Sequence, residues 1–313
     1  MYRDFKVGVV VPAYNEEGLI GGVIEGMPDF VDMVYIVDDA SSDGTRQEAE
    51  RTVAKMGRKG FVVINHGVNG GVGAAIRTGY LKAVDDGCHV VAVMAGDAQM
   101  DPNNLHRILD PIVEGNADYV KGNRLISKRN RVSMPKLRLL GNSILTFLTK
   151  VCSGYWDIVD PQNGYTAISE SALRTIDVES IYPRYGVPND ILIKLNVYNF
   201  RVKDVIMPAV YGSEKSKIRL FTYIPMVSWI LIKGFFWRMK EKYVIQAFHP
   251  LIFFYLTGIL LLPAGILTGI YMAYLRLEGP ISPGSILLPI FLIITGMQTL
   301  FFGMLFDMEA TKR

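Results

Sequence analysis

Val90-Val91-Ala92-Val93-Met94-Ala95-Gly96-Asp97-Ala98-Gln99-Met100-Asp101-Pro102 begins as an unbroken apolar run and stops abruptly in small and acidic residues. Such a run reads as a strand buried on both faces of a parallel sheet. In open α/β sheets ligands collect just outside the carboxyl ends of the strands. Asp97 and Gln99 therefore stand where their oxygens would meet a hard divalent cation shared with a phosphorylated substrate. Position 95, where a further acid is expected in such a site, is Ala.

The flanking sequence repeats the pattern. Val7–Val11, Met33–Val37, Phe61–Ile64, His89–Met94 and Tyr119–Val120 are short apolar runs, separated by helical patterns near Glu16–Gly26, Thr45–Met56, Gly73–Asp86 and Asn103–Val113. Strand alternating with helix predicts a mostly parallel sheet covered on both faces. Asp43 or Ser42 is placed to cap the second helix and Pro102 to open the fourth. Leu137, Leu140, Ile144, Leu145 and Leu148 predict an amphipathic helix over Pro135–Cys152.

Hydropathy divides the 313-residue chain, whose mean is +0.24 with 50% hydrophobic residues. Pro250–Leu275 and Ile281–Phe306 contain no charged residue, and each exceeds the roughly 20 residues that cross a bilayer. Ile218–Tyr243 is apolar and aromatic but interrupted by Lys233, Arg238 and Lys240, as in helices lying in a membrane interface. The expected layout is a catalytic domain at 1–215, interfacial helices at 216–247 and two transmembrane helices within 248–313, at about 250–275 and 284–306. The N-terminus runs into a strand without a signal peptide. Nine Lys/Arg against three acids between Arg201 and Lys242, with Lys312 and Arg313 after the second span, place both termini and the large domain in the cytoplasm. The net charge is only +3, so the basic excess is local and suits anionic headgroups rather than nucleic acid. Cys88 and Cys152 lack metal-ligand spacing and are expected to stay reduced. His66, His89, His106 and His249 also lack ligand spacing, which leaves them structural roles. Gly265 and Gly269 form a small-xxx-small pattern for close packing, within a hairpin or between protomers of a homo-oligomer.

Two further turns carry chemistry. Pro12-Ala-Tyr-Asn-Glu-Glu17 follows the first strand and Val37-Asp-Asp-Ala-Ser-Ser-Asp-Gly-Thr45 the second, where a mononucleotide binds in a doubly wound sheet. Asp39 would accept from a base N–H and Glu16 would reach ribose hydroxyls. Either motif alone also reads as a well-capped turn; at consecutive strand ends they favour function. Asn69-Gly-Gly-Val-Gly-Ala-Ala-Ile-Arg-Thr-Gly79 would turn backbone amides and a helix N-terminus toward a diphosphate, with Arg77 one turn further in. A dinucleotide-binding unit would carry its glycines after the first strand, which here reads Tyr-Asn-Glu-Glu.

These motifs, in this order, resemble glycosyltransferase family 2, with its GT-A fold. Gly122-Asn-Arg124, Arg138-Leu-Leu-Gly-Asn142, Asp160-Pro-Gln-Asn-Gly-Tyr165, Tyr185-Gly-Val-Pro-Asn-Asp190 and Ser216-Lys217 extend the resemblance to its polyprenyl-phosphate branch, which includes dolichol-phosphate mannose and glucose synthases. The resemblance implies an α/β GT-A catalytic domain with a Rossmann-like, mostly parallel sheet, followed by interfacial helices and a transmembrane hairpin. It implies a nucleotide-sugar site formed by Pro12, Tyr14, Glu16, Asp39, Gly71, Arg77, Asp97 and Lys217. Asp97 and Gln99 would hold Mg²⁺ or Mn²⁺ with diphosphate oxygens and water completing the shell. Arg124, Arg138 and Asn142 would grip the acceptor phosphate, a task suited to guanidinium forks. Asp190 matches the carboxylate that acts as base toward sugar hydroxyls. A phosphomonoester, with its second pKa near ~6, is already largely deprotonated at neutral pH, so Asp190 is expected to orient rather than deprotonate. Lys217 would close a loop over the diphosphate.

The implied activity is inverting transfer of a hexose from a UDP- or GDP-linked donor to dolichyl or undecaprenyl monophosphate at the cytoplasmic membrane face. The β-linked product would feed cell-surface glycan or glycoprotein synthesis. Two rivals stand beside it. A processive polysaccharide synthase would need more spans and an R-x-x-R-W-like motif. A non-catalytic membrane scaffold would explain Ala95 as degeneration, against the retained Asp97, Gln99, Asp190, Arg124 and Arg138.

Overall fold

A computed structural model describes residues 1–124, 136–208, 220–280 and 282–311, with backbone alone for 136–140, 142 and 220–222. It forms two compact units, Met1–Phe235 and Phe236–Arg313.

The first unit is built on a seven-stranded sheet in the order β3-β2-β1-β4-β6-β5-β7. Its strands are β1 (Val7–Ala13), β2 (Met33–Asp38), β3 (Phe61–Asn65), β4 (Val90–Val93), β5 (Tyr119–Asn123), β6 (Thr166–Ser169) and β7 (Val202–Ile206). β1 to β4 pair in parallel, as the apolar runs predict. β6 runs antiparallel between β4 and β5, and β7 closes the edge parallel to β5. The sheet is therefore mixed. Neither β6 nor β7 is foreshadowed by an apolar run: β6 is four residues long, and β7 is interrupted by the adjacent charges Lys203 and Asp204.

Alternate residues of the central strands fill two cores. Val7, Val9 and Val11 pack beneath α1 (Ile20–Glu25), α2 (Thr45–Met56) and α4 (Leu105–Val113). Val10, Val91 and Val93 face α3 (Val72–Asp85). Fully burying one such side chain contributes about 1.5–3 kcal/mol. Gly79 lets α3 lie close on β1, because a Cβ there would come within 2.3 Å of Val10 Cγ1.

One predicted helix start and one predicted cap shift. α1 begins at Ile20 rather than Glu16, because Glu16 and Glu17 belong to a loop tied to the neighbouring strand end. The cap position of α2 is Gly44, and Asp43 acts from one residue outside, accepting from the Thr45 amide at 3.0 Å. Pro102 opens a 3-10 turn ahead of α4, with Asp101 accepting from the Asn103 amide at 2.9 Å. The unit is completed by α5 (Lys136–Ser153), α6 (Glu170–Thr175), α7 (Val187–Val197) and most of α8 (Leu220–Lys240). Val227 and Leu231 of α8 are buried, and Gly234 admits Ile193 of α7.

The second unit contains a π-turn (Glu241–Gln246), α9 (Leu251–Glu278) and α10 (Pro283–Thr311). Both helices are longer than the predicted spans and apolar enough to cross a bilayer. Only 22% and 17% of their most apolar windows are buried, unlike core helices of a soluble protein. Glycines set their contact: a Cβ on Gly265 would meet Ile293 at 2.8 Å, and one on Gly296 the Leu262 amide nitrogen at 2.7 Å. Gly265 thus serves packing between these two helices. Arg238 and Asp307, both 0% exposed, form a two-pronged ion pair with 2.8 Å contacts. Tyr243 donates to the same carboxylate at 2.6 Å.

Candidate active site

β4 and β5 each run antiparallel to β6, so they point the same way as β1 and β2. The carboxyl ends of β1, β2, β4 and β5 therefore open on one edge. That edge carries the loops of Tyr14, Asp39, Asp97 and Arg124, together with the Asp160–Tyr165 loop leading into β6. With strands about 4.8 Å apart, the ends of β4 and β5 are separated by about 10 Å. That is the scale of a sugar diphosphate facing its acceptor.

At the donor end, two loops are stitched together by reciprocal bonds. The amides of Asn15 and Glu16 donate to the hydroxyls of Ser41 and Thr45 at 3.0 and 2.8 Å. In return the amides of Ser42 and Gly44 donate to Asn15 Oδ1 and Glu17 Oε2 at 2.9 and 3.0 Å. Asn15, Ala40 and Ala98 adopt φ of 54°, 58° and 58°, three of the six non-glycine residues with positive φ, all at this edge. Such conformations cost free energy and cluster at functional sites. Tyr14 stands 46% exposed beside them, and Pro12 pairs with Val37 across the strands.

Asp39 is 3% exposed, and its carboxylate accepts from Gly70 N at 2.9 Å and Gly71 N at 2.7 Å. His66 Nδ1 lies 2.8 Å from the same carboxylate, and its Nε2 lies 2.9 Å from Thr78 Oγ1. The glycine-rich turn bonds within the protein. The Gly70 and Gly71 amides turn to Asp39, the Ala74 amide donates to Pro183 O at 3.0 Å, and Arg77 donates to Glu179 O at 3.0 Å. Gly71, at φ +93°, and Gly73 are required for packing: a Cβ on Gly73 would fall 2.0 Å from Tyr182 O. The turn is scaffolding that holds Asp39 and the Ser180–Arg184 segment together.

Asp97 and Gln99 follow β4 in a tight turn, with Gln99 N donating to Asp97 Oδ1 at 3.1 Å. Among the described residues no group of three or more His, Cys, Asp or Glu side chains could hold a metal. A carboxylate and an amide oxygen nevertheless form a hard donor pair suited to Mg²⁺ or Mn²⁺, provided a ligand such as a diphosphate supplies further oxygens.

At the acceptor end, the Arg124 backbone amide and Nε donate to Asp160 Oδ2 at 3.2 and 2.9 Å. The Asp160 carboxylate is 3% exposed, whereas the Arg124 side chain is 41% exposed. The side chains of Arg138 and Asn142, on α5, and the whole of Lys217 lie outside the described residues. Asp190 accepts from the Tyr182 amide at 2.9 Å and from Lys194, whose ammonium also donates to Ser180 O at 3.1 Å. Sequence reasoning missed Lys194, although its i+4 spacing from Asp190 on a helix could have revealed it. It also missed Lys121, and it gave His66 a structural role without its partners Asp39 and Thr78.

The mixed sheet, with its loop-bearing strand ends gathered on one edge, has the architecture of the GT-A glycosyltransferases. The profile described as Glycosyl transferase family 2 matches residues 8–177, and the chain belongs to that family. It is 30% identical over 218 residues to UDP-N-acetylglucosamine--dolichyl-phosphate N-acetylglucosaminyltransferase of Methanococcus voltae, covering 64% of this chain and 86% of that protein. It is 27% identical over 205 residues to undecaprenyl-phosphate mannosyltransferase of Micrococcus luteus, covering 64% and 82%. Among solved structures, glucosyl-3-phosphoglycerate synthase from Mycobacterium tuberculosis, in complex with Mn²⁺, UDP and glucosyl-3-phosphoglycerate, shares the fold. Its TM-score is 0.56 at 20% identity, over 75% of this chain and 80% of that one.

Proposed function

We propose that this glycosyltransferase moves a hexose or N-acetylhexosamine from a nucleotide donor to a polyprenyl or dolichyl monophosphate, with inversion, at the cytoplasmic face of a membrane. The observation that carries this reading is Arg124, a partly exposed guanidinium aimed by a buried carboxylate on the same sheet edge as Asp97. A lipid phosphate needs such a fork and little else from the protein, since it is already a nucleophile at neutral pH. The names of the Methanococcus and Micrococcus relatives support the acceptor class.

Asp97 and Gln99 would hold Mg²⁺ or Mn²⁺, which when bound neutralises charge on the departing nucleotide. Asp39, fixed by the Gly70 and Gly71 amides, forms the floor of the nucleotide pocket, with Tyr14 and Glu16 at its rim. Asp190 already has a lysine and a backbone amide as partners, and so is suited to hold the Ser180–Arg184 segment rather than to take a proton. Catalysis rests on positioning and charge neutralisation. α9 and α10 would anchor the chain where its acceptor resides.

The test is incubation of the full chain with dolichyl phosphate, Mg²⁺ or Mn²⁺, and radiolabelled UDP- and GDP-sugars. UDP-sugars come first, because UDP appears in the names of the Methanococcus relative and the Mycobacterium complex. Label extractable into organic solvent is the expected result. No such product with any donor overturns the proposal.

A further inference from the structure

Lys121 is a charged side chain that the proposed chemistry does not use, and it is 0% exposed. It sits in the middle of β5, opposite Thr166 of β6 and Asp204 of β7. Its ammonium donates to Pro161 O at 3.2 Å and Asn163 O at 2.8 Å. Burying an ammonium costs several kcal/mol unless it is well solvated by partners, so the arrangement calls for a function. Both carbonyls belong to the Asp160–Tyr165 loop. Drawing the carbonyls on either side of Gln162 toward β5 fixes that loop at two points.

The loop has two working ends. At one, Asp160 receives the backbone amide and guanidinium of Arg124, three residues beyond Lys121 on the same strand. At the other, the Gln162 amide meets Asn189 of α7 at 3.4 Å and accepts from the Tyr223 hydroxyl of α8. Asn163 ties the loop back to β5 by donating to Gly122 O at 2.6 Å. No other described lysine is shown donating to this loop.

We propose that Lys121 is a positioning residue for the acceptor: its buried ammonium holds the Asp160–Asn163 backbone so that Asp160 presents Arg124 to the lipid phosphate. The proposal rests on the reading of Arg124 as the acceptor-phosphate grip. The charged groups facing Lys121 are Asp160 from the loop, Asp204 from β7 and Arg124 from its own strand. The neighbouring Tyr119 phenol is pushed well above its ordinary range by burial and stays neutral. Burial lowers the Lys121 ammonium to about 8, with the two carboxylates opposing that shift. The hold is thus present below pH 8 and weakens as the pH rises through it. The lipid phosphate, with its second pKa near ~6, does not titrate in that window.

The experiment measures KM for dolichyl phosphate and for the nucleotide-sugar separately, from pH 6.5 to 9.5, using the full chain in detergent with saturating divalent cation. The wild-type acceptor KM is expected to rise about tenfold across this range while the donor KM stays within about twofold, a change within reach of a small displacement of a positioned group. Lys121→Gln should give the high acceptor KM at every pH, and Lys121→Arg, whose charge persists, should flatten the profile. A Lys121→Gln acceptor KM equal to the wild type's at pH 6.5, or a pH step that survives in Lys121→Gln, overturns the proposal; Lys121→Met is read the same way should Lys121→Gln fail to fold. Arg124→Ala is the separate arm. If it leaves the acceptor KM unchanged, the acceptor-site reading itself fails.

Discussion

On the proposed reading Asp97 would carry more of the chemistry than a residue in a paired-acid site, because position 95 offers no carboxylate to share it. Asp97→Ala should therefore reduce metal-dependent transfer by at least ~100-fold, while Ala95→Asp should be tolerated; initial rates at saturating Mg²⁺ or Mn²⁺ check both. Full activity in Asp97→Ala would falsify the metal assignment. At this scale, legibility followed sequence locality. Asp97 and Gln99 were singled out because they follow an apolar run, and Arg124 because the Gly122-Asn-Arg124 motif resembles the family's. The partners that decide what a residue does could not. Asp39 was expected to face a base, and its carboxylate is also the acceptor for two glycine amides 31 and 32 residues later. Asp190 was expected to orient rather than deprotonate, and its carboxylate is bonded to the Lys194 ammonium.

Among the elements, the parallel half of the sheet was readable because strands buried on both faces need continuous apolar runs. β6 and β7 were not. Thr166–Ser169 is too short to show a period, and edge strand β7 is interrupted by adjacent charges. The glycine-rich turn was read as a diphosphate cradle, and its glycines also allow close approach of neighbouring backbone. This separates two substitutions of one chemistry. Gly73→Ala would drive a Cβ to 2.0 Å from Tyr182 O, whereas Gly22→Ala meets nothing within 4 Å. The first should cost about 1–3 kcal/mol of stability through overpacking. The second should be neutral or stabilise by up to about 1 kcal/mol through lost unfolded-state freedom. Thermal unfolding of the two variants side by side is the measurement, and equal melting temperatures would refute the packing role.

For the whole molecule, uncharged stretches announced the two long apolar helices, while the ion pair inside the second unit had no signature. Arg238 was counted among interfacial charges, and nothing local marks Asp307 as its partner. Asp307→Ala should destabilise the full chain in detergent by about 3–5 kcal/mol by leaving a buried guanidinium unpaired. Arg238→Met combined with Asp307→Leu should recover most of that loss. Thermal melts in the same detergent read both, and a double variant no better than the single one would exclude charge pairing as the cause.

That pair also sets a clock on biosynthesis. Arg238 and Asp307 are 69 residues apart, and a ribosome adding roughly 5–20 residues per second needs ~3–14 s to produce the second after the first. Throughout that interval the guanidinium has no carboxylate from α10 to meet. The second unit thus completes only when the far end of its last helix has been made, and a nascent chain stopped inside α10 leaves that buried-to-be charge unmatched.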